Sequence, residues 1–272
     1  MSEIITALVT PFVDGKIDVE SFGKVVQNQV KNGIDGLLVG GATGEGTLLS
    51  PCEKKLLVTV AKQIAPNMPI WLSIDGVGTR EAVNQVAFAN KLGVDGLLVC
   101  PPTFCKCTSV GLLEHIKRLV HETTLPLILY NAPSRVGYTL PLDVVQMVSH
   151  LGVTIKDAGK DLAYTKALQR FTTVYCGNEC LAHHFVELGI DRAISVVANA
   201  YPKLAKDFFD GNLCKKQMAF FKRVARLTMT EVNPVAIKYM LLKLGMVNSA
   251  QLRLPLTEAS ERTKGLVDEA LQ

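Results

Sequence analysis

The feature that most constrains this chain is a phrase that it repeats. Asn32-Gly33-Ile34-Asp35-Gly36-Leu37-Leu38-Val39 returns about 60 positions later as Leu92-Gly93-Val94-Asp95-Gly96-Leu97-Leu98-Val99. Looser copies stand at Leu151-Gly152-Val153-Thr154-Ile155 and at Leu188-Gly189-Ile190-Asp191-Arg192-Ala193-Ile194-Ser195-Val196. Each copy closes a helical stretch with glycine and opens an apolar run of strand length. Glycine there takes the left-handed cap that other residues resist. An apolar run without alternation suits a strand covered on both faces, as in a parallel sheet. The spacing of the two best copies corresponds to about two β-α-β repeats.

Strand patterns fall at 4–10, 36–40, 69–74, 96–100, 126–130, 153–156, 173–177 and 193–197. Helical patterns separate them, among them 19–31, 51–64, 80–92 and 110–122, each starting near a cap-like residue or proline. Eight strands alternating with helices predict an α/β fold, a (β/α)8 TIM barrel. The competing arrangement is an open doubly wound sheet. No Gly-x-Gly-x-x-Gly follows the first strand, which argues against its dinucleotide-binding form. After the eighth strand, 204–209, 215–229, 233–244 and 256–271 read as helices. The chain of 272 residues is therefore expected to be one domain, a barrel over 1–200 with C-terminal helices appended over 201–272. α/β barrels commonly need about 250 residues.

Composition narrows the function. The hydrophobic fraction of 48% suits a large core, and the net charge of +4 is small for this length. No basic run or Arg/aromatic interleaving suggests nucleic acid as a partner. No apolar segment approaches the ~18 residues of a membrane span. The start Met1-Ser2-Glu3 has no signal-peptide character, and the seven cysteines form no C-x-x-C or even framework. Reduced thiols in a cytoplasmic protein are the expectation. No metal is expected: His183 and His184 are adjacent and should point apart on a helix.

A barrel places chemistry at the C-terminal ends of its strands. Gly40-Gly41-Ala42-Thr43-Gly44-Glu45-Gly46 follows the second strand, and Tyr130-Asn131-Ala132-Pro133-Ser134-Arg135 ends the fifth. The sixth, Gly152-Val153-Thr154-Ile155-Lys156-Asp157, ends in a lysine. Gly177-Asn178-Glu179 ends the seventh, and residues 195–199 follow the eighth. Taken singly, Lys156 reads as a solvated strand-end charge, Tyr130 as a packing residue and the glycines as a tight turn. Together on one rim they describe a carbonyl-handling site. A lysine drawn out of water favours its free amine, which attacks carbonyls to give a Schiff base. A tyrosine can move protons, and glycine-rich backbone with an arginine can hold carboxylates.

These residues also carry a resemblance. Gly41 to Glu45 gives G-x-T-G-E, Tyr130 to Gly137 gives Y-N-x-P-S-R-x-G, Lys156 lies in T-I-K-D, and Ile194 to Asn199 gives I-S-V-x-A-N. With the opening Thr6-Ala7-Leu8-Val9-Thr10-Pro11-Phe12 and Leu252-Arg253-Leu254-Pro255-Leu256 near the end, the chain resembles the dihydrodipicolinate synthase/N-acetylneuraminate lyase family of pyruvate-dependent aldolases. The resemblance implies a (β/α)8 barrel with C-terminal helices, without metal or organic cofactor, usually assembled as a homotetramer, with a homodimer as the alternative. It implies Lys156 as the Schiff-base lysine for pyruvate and Tyr130 as the proton carrier. It implies Thr43 as a contact to the pyruvate carboxylate, and Arg135 as the contact to the carboxylate of aspartate semialdehyde. Gly177 would line the pocket, and the Ile194 carbonyl would face the lysine. The intact P-S-R segment points to the synthase branch, in the diaminopimelate route to lysine.

Two positions depart from the pattern. The synthases relay protons through Thr, Tyr and Tyr, the middle one from a neighbouring subunit. Here Ala42 takes the threonine position and Phe104 the second, so Tyr130 is the only relay hydroxyl left. Water, Thr47 or Thr103 are the candidates to substitute. The departure leaves three readings: a synthase with an altered relay, another 2-oxo-acid aldolase such as a sugar-acid aldolase, and a barrel that binds with little turnover.

Overall fold

The computed structural model describes residues 2–271. Its ten strands are β1 Glu3–Ala7, β2 Phe12–Val13, β3 Lys16–Ile17, β4 Gly36–Val39 and β5 Ile70–Ile74, followed by β6 Gly96–Val99, β7 Leu127–Asn131, β8 Thr154–Asp157, β9 Val174–Cys176 and β10 Arg192–Ser195. Eight of them close a barrel in the order β1-β10-β9-β8-β7-β6-β5-β4, and the recorded pairings within it are parallel. The remaining two form an antiparallel hairpin, β2 with β3. The first strand ends at Ala7, short of the expected 4–10, and the hairpin lies beyond that range, where no strand was expected. Asp14 and Gly15 turn it, both at positive φ.

The repeated phrase has the structural meaning expected of it. Gly33, Gly93, Gly152 and Gly189 all have positive φ, between 63° and 78°. At Gly33, Gly152 and Gly189 an added Cβ would meet nothing within 4 Å, so backbone conformation and not space selects glycine. Gly96 is glycine for the other reason: a Cβ there would lie 2.3 Å from the Trp71 ring. The runs that follow, β4 and β6, are buried at every residue.

The chain divides into two compact units, Met1–Ile70 with Ile194–Gln272, and Trp71–Ala193. In the first, Asp18 caps the helix Val19–Lys31 by accepting from Ser21 N, and Ser50 with Glu53 forms a capping box on the helix Pro51–Ile64. These helices bury Phe22, Val25, Leu57 and Val58, each contributing roughly 1.5–3 kcal/mol of transfer free energy. Asn199 ties the end of β1 to the turn after β10, donating to Ala7 O and accepting from Val9 N. Helices Pro202–Phe209 and Lys215–Leu227 pack through Phe208 stacked on Phe221, ring centroids 3.9 Å apart. Helices Val235–Lys243 and Glu261–Leu271 complete the C-terminal run.

The second unit carries most of β5, all of β6 to β9 and the start of β10, with helices Thr79–Leu92, Ser109–His121, Leu142–Ser149 and Leu162–Leu168 among its helical segments. No helix among the described residues is long and apolar enough to cross a membrane. His183 and His184, expected to point apart, instead bring their ring centroids within 3.7 Å. Their Cβ vectors diverge around the helix, but consecutive Cα atoms are only ~3.8 Å apart, so rotamers decide whether the rings meet.

Candidate active site

Lys156 and Tyr130 are register partners on adjacent strands β8 and β7, so their side chains leave the same face of the sheet. Lys156 Nζ stands 4.5 Å from the centroid of the Tyr130 ring. The lysine is 6% exposed, and no hydrogen bond or ion pair from a described residue reaches its Nζ. Burial pushes its pKa down to about 8, helped by the Arg135 guanidinium and opposed by Glu179. About a tenth of the lysine is thus free amine at pH 7. Burial raises the half-buried Tyr130 phenol, while Arg135, which is charged and hydrogen-bonds to it, pulls it back. The phenol stays protonated and able to give a proton.

The next residues along both strands point to the opposite face and lock the strand ends. Asp157 is fully buried; its Oδ1 accepts from Asn131 Nδ2 at 2.8 Å and from Gly159 N at 2.9 Å. Its Oδ2 accepts from Thr165 Oγ1 at 2.7 Å, on the helix Leu162–Leu168. Asn131 Oδ1 in turn accepts from Leu140 N. A buried carboxylate with three donors is well satisfied, and it ties β7, β8 and a helix into one piece. The alternation of a strand therefore separates Lys156 and Tyr130 from the residues that hold the strand ends. Asp157 and Asn131 both lie inside quoted motifs, yet sequence reasoning gave them no role. Their clue was a polar residue directly after each reactive one, with a two-residue period.

Gly177 packs on the stem of Lys156: an added Cβ would lie 3.0 Å from Lys156 Cγ and Cε and 2.9 Å from Asp157 O. Glu179, also given no role by sequence, is buried in the turn Glu179–Leu181 and is the strongest influence raising the Lys156 pKa. Arg135 lies in the short helix Pro133–Val136, exposed, yet it acts on Lys156, Tyr130 and the Cys100 thiol. Cys100 is pushed up to about 11 by burial, so it is a neutral thiol. The structure brings Lys156, Tyr130, Arg135 and Gly177 together in this unit. Phe104 is also here, on the loop after β6, and its side chain is 101% exposed. Thr103, a candidate substitute for the lost relay, donates its hydroxyl to Gly76 O.

Ala42, Thr43 and Ile194 belong to the first unit. Ile194 is buried in β10. Thr43 is buried and its Oγ1 accepts from Asn233 Nδ2 at 2.9 Å. Ala42 is half-buried and Thr47 exposed. Behind Thr43, the buried carboxylate of Glu45 pairs with the buried ammonium of Lys238 and accepts from Arg253 N at 2.9 Å. Lys238 also donates to Gln251 O at 2.8 Å and sits 4.3 Å from the centroid of Phe12. Arg253 covers the same ring and forms a forked pair with Glu53, whose carboxyl it holds down to about 2. Nothing in the sequence pattern distinguished Lys238 from a surface lysine. Among the described residues no group of three or more His, Cys, Asp or Glu is placed to hold a metal ion.

Comparison with known proteins shows the family. The model of the dihydrodipicolinate synthetase family matches residues 1–272. A 4-hydroxy-tetrahydrodipicolinate synthase of Rickettsia bellii is 32% identical, the match covering 98% of this chain and 95% of that protein. A dihydrodipicolinate synthase structure from Thermotoga maritima superposes with a TM-score of 0.93 at 31% identity, covering 99% of this chain and 97% of the other. One from Acinetobacter baumannii, solved in complex with pyruvate, gives the same TM-score, identity and coverage. Matched from end to end by the family model and by relatives above 30% identity, this chain belongs to the dihydrodipicolinate synthetase family.

Proposed function

We propose that the protein is a lyase of the 4-hydroxy-tetrahydrodipicolinate synthase type, which condenses pyruvate with L-aspartate 4-semialdehyde in the diaminopimelate route to lysine. The observation that carries the reading is Lys156: a buried lysine with a pKa of about 8, no hydrogen-bond partner among the described residues and a tyrosine ring against its amine. The amine attacks C2 of pyruvate, the carbonyl oxygen leaves as water, and an imine forms. Loss of a proton from C3 gives the enamine, whose C3 bonds to the aldehyde carbon while the aldehyde oxygen takes up a proton. The amino group of the semialdehyde then attacks the imine carbon and displaces Lys156, which closes the ring and restores the lysine.

Tyr130 carries protons in these steps, a contribution of roughly 10²–10⁴-fold for a general acid–base. Thr43 and nearby backbone N–H groups hold the pyruvate carboxylate. Arg135 holds the carboxylate of the semialdehyde through its planar fork. Gly177 leaves room for the lysine stem. No metal or organic cofactor takes part. The protein acts as a homotetramer or homodimer, as its resemblance to the family implies.

Ala42 and Phe104 support a second reading, a 2-oxo-acid aldolase with another electrophile, because neither side chain can pass a proton. The test of both is borohydride reduction in the presence of pyruvate, followed by peptide mapping. The expected product is a pyruvate adduct on Lys156; an adduct elsewhere, or none, overturns the mechanism. Turnover with aspartate semialdehyde against a panel of sugar-derived aldehydes then separates the two readings.

A further inference from the structure

The loop that carries Thr43 is gripped twice from the start of one C-terminal helix. Asn233, just ahead of the helix Val235–Lys243, donates its amide to Thr43 Oγ1. Lys238, in the first turns of that helix, pairs with Glu45. Between the two grips the backbone has no freedom. A Cβ on Gly44 would lie 2.9 Å from Leu8 O, and one on Gly46 would lie 1.6 Å from Gly40 O. Glu45 itself is left-handed, with φ 54°, a conformation that a non-glycine residue keeps only when its surroundings impose it.

The direction of the Asn233 hydrogen bond decides what Thr43 can do. A threonine hydroxyl has one proton to give and lone pairs that accept. The Asn233 N–H fills a lone pair, so the Thr43 proton is directed to another acceptor. A carboxylate only accepts, so this is the polarity that an oxo-acid carboxylate requires.

We infer that Asn233 is a positioning residue for the oxo-acid substrate: it orients the Thr43 hydroxyl and so sets the affinity for the substrate carboxylate, with the Lys238–Glu45 pair holding the loop in place. The inference rests on Thr43 as the carboxylate contact in the proposed reaction.

The test measures the pyruvate concentration that gives half-maximal borohydride trapping on Lys156, a midpoint independent of the folded fraction and of the second substrate. Asn233→Ala is expected to raise it about tenfold, the worth of a hydrogen bond to a charged group, with maximal labelling unchanged. Asn233→Asp is expected to raise it further, because its carboxylate takes the Thr43 proton and adds a negative charge. In a Thr43→Val background both substitutions should have little further effect. If Asn233 only fills space, the near-isosteric Asp variant is milder than Ala and both effects survive in Thr43→Val; either result overturns the inference. Should the Ala variant not fold, the comparison of Asp with wild type, in both backgrounds, decides alone. A wild type that labels normally, with midpoints unmoved in the variants, overturns the inference and leaves the proposed function standing. A wild type that shows no adduct on Lys156 overturns both.

Discussion

Two of the buried lysines, Lys238 in the first compact unit and Lys156 in the second, are pushed down to about 8 by burial. Their surroundings differ in kind. Lys238 is 1% exposed, and its donors go to Glu45, to Gln251 O and to the face of Phe12. Lys156 has the Tyr130 ring and, among the described residues, no hydrogen bond, and it retains some exposure. A depressed pKa therefore does not identify a nucleophile. What separates the two is whether the lone pair, once the proton leaves, has somewhere to go. By losing its proton Lys238 would break a hydrogen-bonded pair with a buried carboxylate; Lys156 would give up the attraction of Glu179 but break no hydrogen bond among the described residues. The first is held as a structural cation, and the second is the one proposed as the reactive amine.

The comparison breaks most easily at Lys156. Lys156→Met should reduce activity by at least about 10⁴-fold, because the covalent route is lost. The same variant should be more stable than wild type by about 1–2 kcal/mol in urea unfolding at pH 7. The gain from removing a disfavoured buried charge is up to about 3 kcal/mol, and part of it is offset by the lost contact with Tyr130. Lys238→Met should go the other way and lose about 3–5 kcal/mol, since Glu45 is left buried and unpaired. Adding Glu45→Gln should recover part of that loss. If both lysine variants shift stability in the same direction, the distinction fails.

A smaller effect sharpens the pair by pH. Both lysines have folded pKa values below their ordinary 10.5, so above pH 8 the folded chain binds fewer protons than the unfolded chain. Stability should then rise with pH, by about 1–2 kcal/mol between pH 8 and 9. Above that, the raised pKa values of Cys100, Cys176 and Tyr130 work in the opposite direction, and the rise should flatten and reverse. Trapping of pyruvate at subsaturating concentration should climb about tenfold per pH unit below 8 and level off above it. In Lys156→Met roughly half of the stability rise should vanish; a slope unchanged by the substitution would place the titration elsewhere.

The smallest expected effect concerns the missing hydroxyls. Ala42→Thr with Phe104→Tyr should raise turnover with aspartate semialdehyde severalfold and move stability by less than about 0.5 kcal/mol, since Phe104 is fully exposed and Ala42 half-buried. A fall in turnover would show that the two positions suit another electrophile.

The barrel was legible in the sequence because its signals are local. A glycine that must turn left-handed, followed by a run covered on both faces, leaves the same mark at residues 33, 93, 152 and 189. The short hairpin at Phe12–Ile17 was missed because two-residue strands carry no period to detect. Lys156, Tyr130, Arg135 and Gly177 could be picked out as candidates because each ends or follows a strand, and a barrel gathers strand ends. Asn131, Asp157 and Glu179 were passed over because their work is to hold others.

What the sequence determined by itself is the alternation of elements and the residues at strand ends, since both follow from backbone conformation and from burial along a short stretch. Only the tertiary structure decided what each charge meets. Glu45 finds Lys238 and Arg253 across 193 and 208 positions, and Thr43 finds Asn233 across 190. No local pattern records such partners, because a buried charge or hydroxyl is satisfied by whatever the fold brings within about 3 Å of it, however distant along the chain. The same is true of Lys156, for no local pattern records that none of the described residues hydrogen-bonds to its Nζ.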